Sequence, residues 1–370
     1  MPEGPFAGIR CCTQQYLFVR TPALAYMIIV ITPSGGTMKV GLLQFFSWTG
    51  RGPVTTVYDR AMDRVARMED SAFDCIWLAE HHFTNYSVCP SVTLMGTHIA
   101  GRTKRLRIGT AVTLNAYYHP LRLAEELSML DIFSNGRLNW GSGRGFDPVE
   151  FALFGVTAND VYDRFRETAD IVQKAWAQER FSHHGKYFNY DNVMVLPRPY
   201  QQPHPPVYLA ADSPDSIRKA GAEGYTIMLG PHASNAECKY KMELYHQVMQ
   251  ANGHVVGNRD LPIVRYVALA ETRAEAEAVA RSSSGWTVGA YANPSKTAHL
   301  GTGAAAFTTQ TKVDPVERYI NDVAIFGTAP EVVDRLKQLE AEIPMNYLML
   351  APMSHDSFLR FTKDVLPKLV

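Results

Sequence analysis

The stretch LRIGTAVTLNAYYHPLRLAEELSMLDIFSNGRLNWGS, residues 106–142, predicts a strand, a helix and a second strand in succession. Residues 106–114 form an apolar, β-branched run, and residues 121–133 repeat apolar side chains at helical spacing. Asn135 and Gly136 then end the helix, because both residue types tolerate the left-handed backbone found at helix C-termini. Two strands joined by a helix predict a parallel pair with a right-handed crossover.

The same alternation continues along the chain on both sides of this unit. Apolar runs predict eight strands, at 39–46, 73–79, 106–114, 138–142, 207–210, 226–229, 263–270 and 346–350. Helical spacing lies between them, at 55–71, 121–133, 162–178, 216–223, 235–252, 330–340 and 354–368. An open doubly wound sheet and a closed (β/α)₈ barrel both satisfy this pattern. Eight units over about 330 residues favour the α/β TIM barrel.

Two stretches break the alternation. Residues 181–206 are rich in His, Tyr, Asn and Pro and predict a hairpin-like insertion after the fourth strand. Residues 282–311 are rich in Gly, Ser and Thr with little periodicity, and predict an insertion after the seventh strand.

Residues 1–37 differ from the remainder, and we expect a dispensable extension preceding a barrel domain at 38–370. An extra ordered strand and a targeting segment, suggested by the apolar run at 24–31 after two arginines, are the alternatives.

Bulk composition excludes several classes of protein. The formal net charge of zero gives no reason to expect nucleic-acid or membrane-surface binding. The five cysteines form neither an even framework nor a CxxC pair, so no disulfide scaffold or metal site is expected. No apolar run of about 18 residues predicts a membrane span. These features are typical of a cytoplasmic enzyme.

Polar residues follow several predicted strands. They are Glu80, His81 and His82 after the second strand, Asn115 after the third, Arg144 after the fourth, and Asp212 and Ser213 after the fifth. In a barrel of this class the carboxyl ends of the strands carry the chemistry, so we expect these groups to converge on one mouth.

Three segments in this order resemble the bacterial-luciferase-like flavin monooxygenases. They are FDCIWLAEHHF at 73–83, the run from HPLRLAEE at 119–126 through SNGRL at 134–138 to GSGRG at 141–145, and PVYLAADSPDS at 206–216. The resemblance extends from about residue 38 to the C-terminus. It implies a TIM barrel that binds reduced FMN, or the deazaflavin F420, in its mouth.

The resemblance also implies an activity and its partners. FMN users of this family receive reduced flavin from a separate flavin reductase, react it with O₂ to a C4a-(hydro)peroxyflavin, and oxygenate a small organic substrate. A homodimer is usual. An F420-dependent hydride-transfer enzyme and a non-catalytic flavin-binding protein are the alternatives. The resemblance fixes neither the substrate nor the kind of oxygenation. GSGRG is not a GxGxxG motif, so no nicotinamide site is expected.

By the same resemblance, Arg144 and Arg164 are expected to contact the FMN phosphate, which needs cationic and N–H donors. Ser213 and Ser216 open a helix where hydroxyl and N–H groups would receive the phosphate, and Asp212 would hold a backbone or ribityl hydroxyl. A purely structural salt bridge for Arg144 and simple helix capping for Ser213 are the alternatives.

His81 matches the family's catalytic histidine and would shuttle a proton, unless it is a structural residue at the rim. Ala111 would lie beside the flavin at a non-proline cis bond to Val112, and Asn115 would bond the ring edge. Gly143 stands where the light-emitting luciferase subunit has a reactive cysteine, so luminescence is not implied.

Residues 282–311 lie where the family has a mobile loop, and their composition suits a lid in which Lys296 would bind an anion or remain solvated. Five aromatic residues are expected to form pocket walls, which would suit an apolar or aromatic substrate; alternatively, they are ordinary core residues. They are Phe45, Phe46, Trp48, Tyr117 and Tyr118.

Overall fold

The computed structural model describes residues 38–257, 259–292 and 314–370, and for residues 291–292 it describes the backbone alone. The expected extension at 1–37 and Lys296 lie outside the described residues, so the predictions made for them stay predictions.

Short strands and helices alternate through the described chain. The strands are β1 (Lys39–Gln44), β2 (Cys75–Leu78), β3 (Arg107–Thr110), β4 (Thr113–Leu114), β5 (Leu138–Gly143), β6 (Phe181–His184), β7 (Asn189–Val193), β8 (Val207–Ala210), β9 (Thr226–Met228), β10 (Pro262–Leu269), β11 (Ile325–Gly327) and β12 (Tyr347–Pro352). The helices are α1 (Thr55–Glu69), α2 (Val92–Ala100), α3 (Pro120–Phe133), α4 (Pro148–Leu153), α5 (Val161–Ala177), α6 (Pro214–Ala222), α7 (Asn235–Ala251), α8 (Arg273–Ala292), α9 (Pro315–Arg318), α10 (Ala329–Glu342) and α11 (His355–Arg360).

A curled parallel sheet organises the fold. Its strand order is β11-β10-β12-β1-β2-β3-β5-β8-β9, with β4 added on β5. Each of these pairs is parallel, as in Leu42 opposite Ile76 and Val40 opposite Leu348. Within the described residues no backbone pairing joins β9 to β10. The predicted α/β class with a parallel sheet is confirmed. The hairpin of β6 and β7 is antiparallel and lies within 181–206, but its status as an insertion stays a prediction.

Several elements differ from the sequence prediction. Helices α2 and α4 and strand β11 were not predicted, and the run at 106–114 divides into β3 and β4. The prediction of an aperiodic segment from 282 is wrong for its first part, because α8 continues to Ala292. Ser284 and Thr287 are buried in that helix, which packs on β10 and β11. Tertiary packing therefore outweighs the low helix propensity of Ser, Thr and Gly.

Alternate residues of each strand belong to two separate apolar layers, as the two-residue period of a strand requires. Val40, Leu42 and Ile76 lie in an outer layer between sheet and helices. Leu43 and Trp77 lie in a second cluster, the inner cluster, which fills the curl of the sheet. Its fully buried members are capped at one end by partly buried side chains. Those partly buried side chains include Phe45, Ala111, Val112, Trp286 and Met353.

The open end of the inner cluster is the end at which the parallel strands terminate in their carboxyl ends. We call it the mouth. The expectation that Phe46 forms a pocket wall is wrong, because Phe46 is fully buried in the outer layer. Phe45, its neighbour, points to the opposite side and belongs to the inner cluster. In the described part of the chain, no helix combines the length and apolar character needed to cross a membrane.

Candidate functional site

Three of the predicted cofactor residues follow strands that are neighbours in the sheet. Leu114 pairs with Gly143, and Ser142 pairs with Leu209. Continuing these registers past the strand ends places Asn115 beside Arg144, and Arg144 beside the residue preceding Asp212. Parallel pairing therefore brings these groups to one rim of the mouth, as the sequence predicts.

Among the described residues, neither of the two arginines predicted to bind the phosphate makes a hydrogen bond or an ion pair. Arg144 is exposed, and its guanidinium makes no hydrogen bond or ion pair with any described residue. Arg164 lies on α5 with its guanidinium carbon 4.3 Å from the centroid of the Tyr187 ring. Its Nε is buried and has no hydrogen-bond partner among the described residues. A buried donor left unpaired is costly, so this atom is a candidate for a ligand contact.

The segment after β8 forms a helix cap. Ser213 is the N-cap of α6, its hydroxyl accepts from the Ser216 N–H at 3.2 Å, and the Ser216 hydroxyl donates to the Ser213 carbonyl at 2.8 Å. The capping role considered for Ser213 is thus present. Asp212 accepts a hydrogen bond from Lys241 Nζ at 2.6 Å, which gives it a protein partner.

Tight backbone packing surrounds Ala111. The Ala111–Val112 bond is cis, as the resemblance implies. A side chain added at Gly143 would place its Cβ 2.3 Å from Val112 Cγ2 and 3.4 Å from Ala210 Cβ. The space that a cysteine would need at position 143 is therefore filled by Val112.

Asn115 is fully buried behind this rim. Its amide donates to the Ser142 hydroxyl at 2.7 Å, and its carbonyl accepts from Thr113 at 2.8 Å. These bonds fix the orientation of the side chain. The predicted bond to a flavin ring stays a prediction.

His81 lies at the mouth after β2. Its Nδ1 is 3.6 Å from Glu150 Oε1, and its side chain is 12% exposed. The ring contacts Tyr86 edge-on at 5.1 Å between centroids and Phe146 at 6.0 Å. The carboxylate and the two aromatic rings fix the position of the imidazole, and part of its side chain is still accessible from the mouth.

His82 and Glu80 form a neighbouring pair. His82 Nε2 is 2.9 Å from Glu80 Oε1, and the Tyr118 hydroxyl donates to Glu80 Oε2 at 2.9 Å. Burial raises the pKa of the Glu80 carboxyl. These hydrogen bonds hold His82, Glu80 and Tyr118 in place, and the Tyr118 ring packs against the outer layer.

Sequence reasoning missed two acidic residues that α4 brings to His81. Glu150 is buried and also accepts from the His82 N–H at 2.8 Å and from the Tyr117 hydroxyl at 3.3 Å. Asp147 caps α4 through the Val149 N–H, and burial raises its pKa to about 6. The sequence Asp147-Pro148 is a helix-start pattern, N-cap then proline, that would have located α4.

His232 is a second imidazole at the mouth that the sequence analysis missed. It follows β9, bonds the Tyr319 hydroxyl through Nδ1, and stacks on Tyr266 at 6.2 Å. Burial lowers the pKa of His232 to about 4. Asp212 raises this pKa to a smaller extent, and Arg318 and His81 lower it further. The strand-end rule used for Asp212 would have found it, since Gly230-Pro231-His232 follows a predicted strand. No cluster of three or more His, Cys, Asp or Glu suited to a metal occurs among the described residues.

The sequence of this chain is similar to those of known proteins. Residues 38–344 match the model of a family described as luciferase-like monooxygenases. The chain is 36% identical over 174 residues to the uncharacterised protein y4vJ of Sinorhizobium fredii, covering 47% of this chain and 50% of that protein. It is 26% identical over 292 residues to the oxygenase component of a flavin-dependent trigonelline monooxygenase from Acinetobacter baylyi, covering 77% and 81%. The chain spans about half the length of the rhizobial relatives that it matches.

Solved structures match the fold over most of the chain. The monooxygenase RslO1 from Streptomyces bottropensis gives a TM-score of 0.75 at 25% identity, covering 90% of this chain and 100% of that chain. Two others show the fold alone. One is a Pseudomonas putida diketocamphane monooxygenase constituent in complex with FMN, with a TM-score of 0.74, 21% identity, and coverage of 90% and 99%. The other is an F420-dependent secondary alcohol dehydrogenase, with a TM-score of 0.72, 16% identity, and coverage of 90% and 100%.

Proposed function

The chain belongs to the luciferase-like monooxygenase family, and on that premise we propose that it uses reduced FMN and O₂ to oxygenate a small organic molecule. The flavin-dependent monooxygenase among its relatives supports the class of reaction. The rim formed by the ends of β4, β5 and β8 supports FMN as the flavin.

Arg144 and the N-terminus of α6 lie at this rim and fit a phosphate, and this observation carries the proposal. Arg144 has no partner among the described residues, and Arg164 keeps a buried Nε without one. A phosphate of about two negative charges would give both guanidinium groups charge-assisted bonds. The exposed N-terminus of α6, at Ser213 and Ser216, adds a partial positive charge for the same ligand.

The partly buried apolar side chains of the mouth suit the flavin ring. Ala111 and Val112 lie at the open end of the inner cluster, against Gly143. Bound there, reduced FMN would supply the electrons that allow O₂ to donate one oxygen atom to the substrate. The aromatic and aliphatic members of the inner cluster would exclude water from the reacting groups.

His81 is the group proposed to move a proton. Its Nδ1 faces Glu150 Oε1 at 3.6 Å, so the carboxylate would hold the ring in one orientation. The proton exchanged with a reacting group would then be carried at Nε2. Asp147 and Glu150 are both buried near this ring, at the start of α4.

Two partners belong to the same proposal. A separate flavin reductase is expected to supply reduced FMN, which the description of the trigonelline relative as an oxygenase component supports. A homodimer is expected through α2 and α3. These adjacent helices expose Leu94, Met129 and Phe133, with 72%, 43% and 53% of each residue accessible.

The experiment supplies FMN, NADH and a flavin reductase, and measures O₂ uptake and oxygenated product across a panel of small organic substrates. We expect product formation that requires FMN and O₂ and scales with O₂ consumed. Tight F420 binding with substrate reduction in the absence of O₂ would instead identify a hydride-transfer enzyme. Binding of FMN without product for any substrate that binds would favour a non-catalytic flavin protein.

A further inference from the structure

Tyr117 lies at the end of the short turn that follows β4. Its ring stacks on that of Phe154, with 4.6 Å between the ring centroids and 13° between the planes. Its hydroxyl donates to Glu150 Oε2 at 3.3 Å. Burial raises the pKa of this phenol, and the Glu150 carboxylate raises it further, so the hydroxyl keeps the proton that it donates. Tyr117 is therefore attached to α4 and to its C-terminal end through both its ring and its hydroxyl.

The same hydroxyl packs against the segment 144–147, which begins with Arg144 and joins β5 to α4. A Cβ atom added at Gly145 would lie 2.9 Å from Tyr117 Oη and 3.4 Å from Tyr117 Cζ. The φ angle of Gly145 is +79°, a left-handed conformation that glycine adopts readily. Because the phenol fills the space beside this glycine, the path of the backbone just after Arg144 depends on where Tyr117 is held.

Glu150 connects this phenol to the segment that carries His81. Glu150 is buried, and only 1% of it is exposed. Its Oε1 accepts the His82 N–H at 2.8 Å and lies 3.6 Å from His81 Nδ1, whereas its Oε2 accepts from the Tyr117 hydroxyl. Hydrogen bonds to an ionised acceptor are stronger than those between neutral groups, so a buried carboxylate with a donor at each oxygen is firmly held. One side chain thus contacts the His81 segment through one oxygen and Tyr117 through the other.

We infer that Tyr117 and Glu150 form a positioning pair, which holds the segment of Arg144 and the segment of His81 at a fixed spacing. The inference rests on the proposed function only for the roles of these segments, phosphate binding by Arg144 and proton transfer by His81. A flavin anchored at Arg144 would then meet His81 in a single geometry. Both members of the pair act through other residues, so loss of either one should loosen both segments.

The first test measures amide hydrogen exchange in the flavin-free, full-length protein, by mass spectrometry of peptides that cover residues 80–84 and 143–147. Glu150→Gln replaces a charged acceptor by a neutral one, and exchange in both peptides should become about fivefold faster. Tyr117→Phe removes only the hydroxyl and keeps the ring, which also contacts the His82 ring edge-on at 6.0 Å. It should likewise speed exchange in both peptides.

Each substitution has a matched control. Tyr245→Phe removes a hydroxyl that donates to the Tyr225 carbonyl in the outer layer, away from the mouth. Glu167→Gln changes a carboxylate that also accepts a backbone N–H, that of Phe188 at 2.9 Å, beside the β6–β7 hairpin. Neither control should change exchange in the two peptides.

The second test measures the Kd of FMN and of riboflavin. Tyr117→Phe and Glu150→Gln should each weaken FMN about fivefold and riboflavin less than about twofold, because the pair acts on the phosphate through Arg144. The double variant should be no weaker than the weaker of the single variants, because residues that act as one unit do not add.

The inference is overturned if Tyr117→Phe changes exchange only in 143–147 and Glu150→Gln only in 80–84, or if the two effects add in the double variant. If Tyr117→Phe fails to fold, Glu150→Gln carries the same test. A parent protein that binds FMN no tighter than riboflavin would defeat the proposed phosphate site, while faster exchange in both peptides would still support the positioning pair. Preference for FMN with exchange changed in one peptide alone would defeat only this inference.

Discussion

Replacement of Gly143 by alanine adds a single Cβ atom and tests how tightly the mouth is packed around position 143. The added Cβ would lie 2.3 Å from Val112 Cγ2 on one side and 3.4 Å from Ala210 Cβ on the other. Because Val112 is β-branched, its χ1 rotation is restricted and cannot readily clear the space. Overpacking of this kind costs about 1–3 kcal/mol. We therefore expect Gly143→Ala to lower the melting temperature by several degrees, and Gly143→Cys to lower it further.

The assay compares thermal unfolding of Gly143→Ala with that of Gly143→Ala/Val112→Ala and with a control. Removing the Val112 methyl groups should recover part of the loss, giving a coupling of about 1 kcal/mol between the two sites. Gly50→Ala is the control, because nothing lies within 4 Å of a Cβ added there. Its stability should stay within about 0.5 kcal/mol. A Gly143→Ala protein as stable as the parent, with FMN affinity unchanged, would refute the steric reasoning.

Three further predictions concern single elements of the account. His81→Ala should lower turnover by about 10²–10⁴ with FMN affinity within a few-fold, whereas the exposed His98→Ala should not; equal turnover would make His81 structural. His232→Gln should change how stability depends on pH. The pKa of His232 in the folded protein is depressed from 6.5 to about 4, so the parent loses stability as pH falls from 6.5 toward 4 and the variant should not. The difference in unfolding free energy should reach about 3 kcal/mol, and parallel pH curves for the two proteins would exclude this titration. Deletion of residues 1–37 should leave a folded, active protein, because β1 begins at Lys39; an insoluble or strongly destabilised product would contradict it.

Strand and helix periodicity predicted most of the architecture, because the strands of a parallel sheet are buried on both faces and therefore have continuous apolar sequences. The runs at 207–210 and 235–252 correspond to β8 and α7 within one residue. Two helices were missed for different reasons. Helix α2 carries several apolar residues and no charge, so it lacks a contrasting polar face. Helix α4 is only six residues long, too short for periodicity to show.

The candidate site was only partly predictable for a related reason. Strand-end position pointed to His81, Arg144 and Asp212, since local order along the chain fixes which residues follow a strand. The sequence could not show that Glu150 lies beside His81, because that contact depends on how α4 packs across the mouth. Tyr319 is separated from His232 by 87 residues, and their hydrogen bond exists only in the folded chain. Long-range neighbours of this kind leave no pattern in local sequence.

The central claim, that the ends of β5 and β8 hold the phosphate of FMN, is tested most directly by comparing FMN with riboflavin, which lacks that phosphate. The measurement is the Kd of each flavin for the parent protein and for Arg144→Ala, with the exposed Arg102→Ala as control. Loss of a charge-assisted contact of about 1.5–3 kcal/mol should weaken FMN roughly 10- to 150-fold in Arg144→Ala. The Kd of riboflavin for Arg144→Ala should stay within roughly threefold of its value for the parent protein, because riboflavin has no phosphate to lose. Equal weakening of both flavins, or no weakening of FMN, would contradict the account.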